Sequence, residues 1–344
     1  MPALTATSES RPKRSRDDRL ADAAFATSVV PRRNANSHKW GVGGLVVVAG
    51  APGYVGAAAL CAMAAGRSGA GIVNLAVPRS AIGAIASLVP EAAYIPMPEG
   101  DADDAARRAI DMIGEKLEKS RAIVVGPGLS EDDHAAALLS ALFGTKTARR
   151  ENSLGFGVRV PAAETAVRSK GLIGNDKPAV IDADALNWLA KQPEWWSSLT
   201  PGSLVLTPHA GEMSRLLNKD VDDVIADPLA TAKEAATRWQ QIVVFKHGYS
   251  IATDGQSSII ADDAPLSLAS AGTGDVLAGT IGAFLAQGLA PLNAAGLALY
   301  VGPRAARRVE QRTGTLGLVA SDLPLAIAEE LAALERATNG DQNA

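Results

Sequence analysis

From about residue 40 onward, short unbroken apolar runs recur between longer stretches that mix small, apolar and charged residues. GGLVVVAG (Gly43 to Gly50) is the first of them; rich in valine and lacking polar alternation, it predicts a strand covered on both faces. After it come a glycine-marked turn, an alanine-rich helix and a glycine-rich stop in APGYVGAAALCAMAAGRSGAG, then the strand IVNLAVP (Ile72 to Pro78), which a proline ends. The rhythm continues with a charged helix near Asp101 to Lys119, the strand AIVVGPG (Ala122 to Gly128), a helix around His134 to Phe143 and the strand PAVIDAD (Pro178 to Asp184). SLVLTPH (Ser203 to His209), a helix starting near Gly211, and QIVVFKHG (Gln241 to Gly248) extend it. Strands of this buried type separated by helices predict an α/β fold, a largely parallel sheet with helices on both faces. YSIATDGQSSII departs from the pattern, because two short alternating runs flank Asp254-Gly255, a dipeptide suited to a hairpin; an antiparallel edge is expected there.

Two regions lack this period. Residues 1–37 carry Arg11, Lys13, Arg14, Arg16 and Arg19 around a weakly apolar start and read as a polar, flexible tail rather than a secretory leader. Lys146 to Asn175 has mixed polarity and scattered glycines and reads as a loop or decorated connection. No composition break divides residues 38–340, so one domain is expected. The alanine-rich run from Val55 meets Arg67 before it reaches membrane-spanning length.

Composition narrows the partners. Charged residues make up 20% and the formal net charge is -4, which argues against a nucleic-acid surface or a disordered chain and leaves a small molecule as the expected ligand. The single cysteine, Cys61, excludes an intrachain disulfide and a cysteine metal site and agrees with a reducing, cytoplasmic setting. His38, His134, His209 and His247 show no zinc-binding spacing.

Candidate chemistry gathers at the carboxyl ends of the expected strands, where open parallel sheets hold their ligands. GAPGYVG spaces its glycines as Gly50, Gly53 and Gly56, which is not the dinucleotide fingerprint, and no acidic residue ends the next strand; its glycines still allow a backbone and a helix start to approach a ligand. In SAGTGDVLAGTIGAF, Gly272, Thr273 and Gly274 can present amides to an anion, with Asp275 at the helix start either as a simple N-cap or as an acid–base group. A carboxylate facing phosphate needs compensation, and Lys246, at the end of an apolar strand, can supply it. TPHAGE sets His209 and Glu212 at a turn into a helix, as capping groups, as a substrate hydrogen bond, or with Glu212 on Mg²⁺ through water. DADALN offers Asp182, Asp184 and Asn187 without choosing between metal organisation and loop organisation.

Taken in order, VVVAGAPGYVG, VVGPGLS, VIDADALNWL, LTPHAGEMSRLL, VVFKHG, GTGDVLAGTIGAFLAQGLAPLNAA and GTLGLVASDL resemble the ADP/ATP-dependent NAD(P)H-hydrate dehydratase family, over roughly residues 40–330. The resemblance implies a ribokinase-like, three-layer αβα sandwich with a mostly parallel central sheet. It also implies ADP-dependent, or ATP-dependent, dehydration of the S epimer of hydrated NADH or NADPH, by phosphorylation of the added hydroxyl and elimination of phosphate, with Mg²⁺. Carried over by motif, Asp275 resembles the general base, and Ala57, Gly128, His209 and Asp275 resemble the hydrated-coenzyme contacts. Lys246, His247, Gly248, Tyr249 and Ser250, with Gly272, Thr273 and Gly274, resemble the nucleotide contacts and the anion turn, and Glu212 stands as the candidate for Mg²⁺. The chain departs from the family in its DDAPLSLASAGTGD approach and in His247 and Ser250, where glycine and threonine are usual. With only the polar tail before residue 38, a separate protein is expected to supply any epimerase activity, and a homo-oligomer is expected. A small-molecule kinase of the same fold and a nucleotide-binding protein without turnover are the competing readings.

Overall fold

The computed structural model describes residues 17–33, 36–145 and 171–340. Most of the Lys146 to Asn175 segment lies outside the described residues, as does the tail before residue 17. The strands are β1 (Asp18–Ala21), β2 (Gly44–Val48), β3 (Ile72–Pro78), β4 (Ala93–Met97), β5 (Ala122–Val125), β6 (Ala179–Ile181), β7 (Leu204–Leu206), β8 (Ile242–Phe245), β9 (Ile251–Thr253) and β10 (Ser258–Ala261). They form one sheet in the order β1-β10-β9-β8-β7-β6-β5-β2-β3-β4. Pairing is parallel from β8 to β4 and antiparallel on both sides of β9, as the Asp254-Gly255 hairpin leads one to expect.

Each central strand is buried on both faces. In β2, Leu45 and Val47 face one apolar cluster and Val46 and Val48 the other, so continuous hydrophobicity is what the position demands. The first cluster is covered by the helices Val55–Arg67, Thr273–Ala286, Pro291–Thr313 and Leu323–Gly340, the second by Ala102–Lys119, Asp133–Phe143, Ala210–Leu217 and Pro228–Trp239. The result is the expected three-layer sandwich. Small residues set one of its spacings: a Cβ at Gly279 would lie 2.1 Å from the Cys61 carbonyl oxygen, so the two helices that cross there approach to backbone contact. No helix among the described residues is long and apolar enough to cross a membrane.

The expected tail is corrected by the structure from Asp18 onward. β1 adds to the sheet edge parallel to β10, with Leu20 opposite Ile260, and the helix Ala23–Val29 buries Phe25 and Ala26 in the first cluster. Asp18 is 2.7 Å from Lys233, which holds a carboxylate inside the edge. Arg19, one of the charges that suggested solvation in the sequence, is laid over the Phe25 ring; Arg11, Lys13, Arg14 and Arg16 lie outside the described residues.

Chain order reverses between β2 and β5: β2, β3 and β4 run outward one way, and β5 to β8 the other. A crevice opens at such a switch point, beyond the carboxyl ends of the strands. The loops that line it are tightly joined, since Gly50 N–H donates to the Pro127 carbonyl at 2.8 Å. Gly126 has φ +129, and a Cβ there would meet the Asp182 carbonyl oxygen at 1.8 Å. Gly126→Ala is therefore expected to destabilise the protein by at least about 2 kcal/mol, read as a lower urea midpoint at unchanged slope.

Candidate active site

Lys246 extends from the end of β8 into this crevice, with its amide donating to the Pro208 carbonyl at 2.8 Å so that the β7 and β8 loops leave the sheet together. Its ammonium is 2.9 Å from Asp182 Oδ1 and 3.9 Å from Glu212 Oε2. Asp182 is 1% exposed and also accepts a 2.6 Å hydrogen bond from the Thr207 hydroxyl. Burial opposes the charge on Lys246, but Asp182 and Glu212 outweigh it and raise the lysine pKa. The ammonium abuts the glycine turn as well: a Cβ on Gly274 would stand 3.3 Å from Nζ, so the lysine lies against the bare backbone between Thr273 and Asp275.

Asp275 is not the N-cap. The helix begins at Thr273, with Gly272 capping it at φ +87, and Asp275 is the third helical residue. The left-handed turn at Gly272 starts the helix early, while the Thr273 hydroxyl donates back to the Leu268 and Ser270 carbonyls and fixes the loop before it. Burial, then the nearby charge of Asp182, push the Asp275 carboxyl up to about 7; Lys246 offsets only part of this. A base with that affinity is half ionised near neutrality.

His209 and Glu212 form a reciprocal cap. His209 Nδ1 accepts from the Gly211 and Glu212 amides at 3.0 and 3.3 Å, and Glu212 Oε2 accepts from the His209 amide at 2.8 Å. Burial raises Glu212 to about 7 against the pull of Lys246, and burial followed by Lys246 lowers the His209 pKa. A lowered pKa keeps the ring neutral, with Nδ1 occupied by the cap and Nε2 3.4 Å from Glu212 Oε1. For Mg²⁺, the fit is indirect. Among the described residues no group of three or more His, Cys, Asp or Glu converges to hold a metal ion, and Asp182 and Glu212 already have protein partners. Such carboxylates suit an ion that keeps its waters and rides on phosphate.

The glycine loops bring the remaining candidates together. A Cβ on Gly128, at φ +62, would lie 2.8 Å from the side chains of Ala57 and Tyr54, so Ala57 and Gly128 form one surface. In the β8–β9 loop, Gly248 turns at φ +50, His247 stacks 6.0 Å from Phe245, and Tyr249 packs on the second apolar cluster, which leaves mainly backbone from Lys246 to Ser250 for a ligand.

Asp182 is the functional candidate that sequence reading left undecided. The adjacent Ala183 has φ 49, rare for a residue with a side chain, and this bend sends Asp182 to Lys246 while Asp184 accepts from the Ser130 amide at 2.8 Å. Asn187 binds Arg215 and Glu131, a structural role.

Comparison with known proteins follows the same segments. The family model described as Carb_kinase, NAD(P)H-hydrate dehydratase, matches residues 45–148 and 155–329. The bifunctional NAD(P)H-hydrate repair enzyme Nnr of Moorella thermoacetica is 35% identical over 307 residues, 89% of this chain and 52% of that protein. Its counterpart in Salinibacter ruber is 35% identical over 295 residues, 85% of this chain and 49% of that protein. The chain thus spans about half the length of these curated relatives. A Bacillus subtilis ADP/ATP-dependent NAD(P)H-hydrate dehydratase, co-crystallized with ATP/Mg²⁺, superposes with a TM-score of 0.71 at 24% identity, over 94% of this chain and 100% of that one. A ribokinase-like superfamily protein from Enterococcus faecalis gives 0.74 at 19% identity, over 94% and 99%. The fold is the ribokinase-like α/β sandwich.

Proposed function

Because the chain belongs to the NAD(P)H-hydrate dehydratase family, we propose that it restores NADH or NADPH from the S epimer of the hydrated coenzyme, with ADP or ATP as phosphoryl donor. The observation that carries this reading is Asp275, a carboxylate with a pKa near 7 on the glycine turn that the Lys246 ammonium touches. Hydroxide leaves a saturated carbon poorly; a phosphate ester leaves well. Asp275 takes the proton of the added hydroxyl as its oxygen attacks the terminal phosphorus of the nucleotide, whose shortened diphosphate or monophosphate departs. Loss of phosphate from one ring carbon and a proton from its neighbour then restores the double bond.

The amides at Gly272, Thr273 and Gly274 and the ammonium of Lys246 stabilise charge on the transferring group, and the backbone from Lys246 to Ser250 positions the nucleotide. Ala57, Gly128 and the neutral ring of His209 line the coenzyme side. Mg²⁺, held by the nucleotide phosphates and reached by Glu212 through water, would supply further charge neutralisation. A separate epimerase would feed the same pool of hydrate.

Recovery of the near-ultraviolet absorbance of dihydronicotinamide from hydrated NADH, with ADP or ATP and Mg²⁺, tests the reading. Failure with both nucleotides across a broad pH range would sink it. Since the base must be ionised, kcat/KM is expected to rise tenfold per pH unit below about 7 and level off above it. In Glu212→Gln the same rise persists if Asp275 is its source.

A further inference from the structure

At the carboxyl ends of β2, β3 and β4, the helices Ala102–Lys119 and Asp133–Phe143 enclose a cavity of about 400 Å³ that none of the roles above uses. Pro52, Met97, Ala106, Leu129 and Leu138 form apolar walls of the kind that receive a flat ring. The cavity adjoins the candidate site directly. Gly50, Ala51 and Pro52 belong to the loop that leads to Ala57, and Leu129 follows Gly128.

From β6, whose end carries Asp182, to β3 is three steps across the sheet, or ~14 Å at the usual strand spacing. That separation suits two nucleosides joined by a pyrophosphate, with one ring at Asp275 and the other in the cavity. The rim is acidic. Glu99 accepts from the Ser80 amide at 3.1 Å and its hydroxyl at 2.7 Å, and Asp132 accepts from the Ala135 amide at 2.9 Å. Each carboxylate keeps lone pairs for a further donor. Among the described residues the lining contains no lysine or arginine; His134 lines it, with Nε2 2.6 Å from the Gly100 carbonyl oxygen, and Arg79, next to lining residue Pro78, is exposed.

We propose that this cavity takes the adenosine half of the hydrated coenzyme, with Glu99 and Asp132 accepting ribose hydroxyls, and that it selects the hydrate of NADH over that of NADPH. The assignment rests on the dehydratase reading. A ribose 2′-hydroxyl donates to a carboxylate, whereas a 2′-phosphate is repelled by it and in dinucleotide sites is met by arginine. Both rim carboxylates act in that direction.

Steady-state kinetics on hydrated NADH, hydrated NADPH and hydrated nicotinamide mononucleotide, which lacks the adenosine half, test this in the wild type, Glu99→Gln/Asp132→Asn and Ala102→Phe. Asparagine still caps the helix at position 132, and Ala102 lies on the half-exposed wall of the cavity. The wild type is expected to prefer hydrated NADH by at least roughly tenfold in kcat/KM, and the rim variant to narrow that ratio to within about threefold. Ala102→Phe is expected to raise KM for hydrated NADH roughly tenfold, toward the value for the mononucleotide, with kcat changed by less than about twofold. Turnover with equal use of the two coenzymes, or with no rise in KM in Ala102→Phe, overturns the assignment and leaves the dehydratase reading standing. No turnover of any hydrate overturns both.

Discussion

Asp275→Asn is expected to turn over hydrated NADH roughly 10²- to 10⁴-fold more slowly than the wild type while remaining folded, because asparagine keeps the shape of the carboxyl group and cannot take a proton. The stability of this variant carries a second signature. In the folded protein the Asp275 carboxyl holds its proton up to about 7, well above an unperturbed aspartate, so the stabilising contribution of the neutral form is full at low pH and is lost as pH rises through that value. Above it, the native state carries an ionised carboxylate in a half-buried place beside Asp182. Asparagine removes that cost. The variant should therefore melt at a higher temperature than the wild type at pH 8, and the difference should shrink toward pH 5. Equal Tm values at both pH values, with activity lost, would mean that Asp275 acts without the burial and charge described here.

The second large effect concerns the lysine. Lys246→Met is expected to cost about 3–5 kcal/mol in unfolding free energy, because Asp182 is left buried with only the Thr207 hydroxyl as partner. The rate should fall by roughly 10²–10³ as well, through the loss of a fixed positive charge at the transferring phosphoryl group. Asp182→Asn added to Lys246→Met separates the two losses. With the Asp182 charge removed as well, most of the stability returns, while the rate stays low. Chemical denaturation and ADP-dependent turnover on the wild type, Lys246→Met, Asp182→Asn and the double variant complete the cycle. Stability additive across the pair would deny the coupling.

Much of this architecture is written in short apolar runs. β3 occupies the full IVNLAVP segment, and Asp101 caps the helix that its neighbours suggest. β4 was not legible because AYIPM is only five residues long and contains Pro96, which an edge strand tolerates when its amide side is not needed. β1 hides among charges, and the partner of its Asp18, Lys233, lies more than two hundred residues away. The same distance in sequence explains the site. Asp275 and Lys246 stand out locally, one in a glycine turn and one ending an apolar strand. What distinguishes Asp182 from Asp184 is the backbone at Ala183, which reverses the direction of successive side chains, and no residue type announces that φ. The helix start at Thr273 rather than near Val276 follows from the left-handed conformation of Gly272, equally silent in composition.

The pairing of β1 with β10 joins Leu20 to Ile260, so the earliest described strand to leave the ribosome has no neighbour until more than two hundred further residues have followed it. During synthesis the sheet must assemble from its middle, with the β2–α–β3 unit and its successors in place before this edge is sealed. Sealing should accordingly be a late kinetic event, and segment 17–33 should be cut by a protease added early in refolding and spared when the protease is added after completion. Until that moment β10, apolar and unpaired on its outer side, is open to capture by another chain, which makes the timing of β1 docking a determinant of yield.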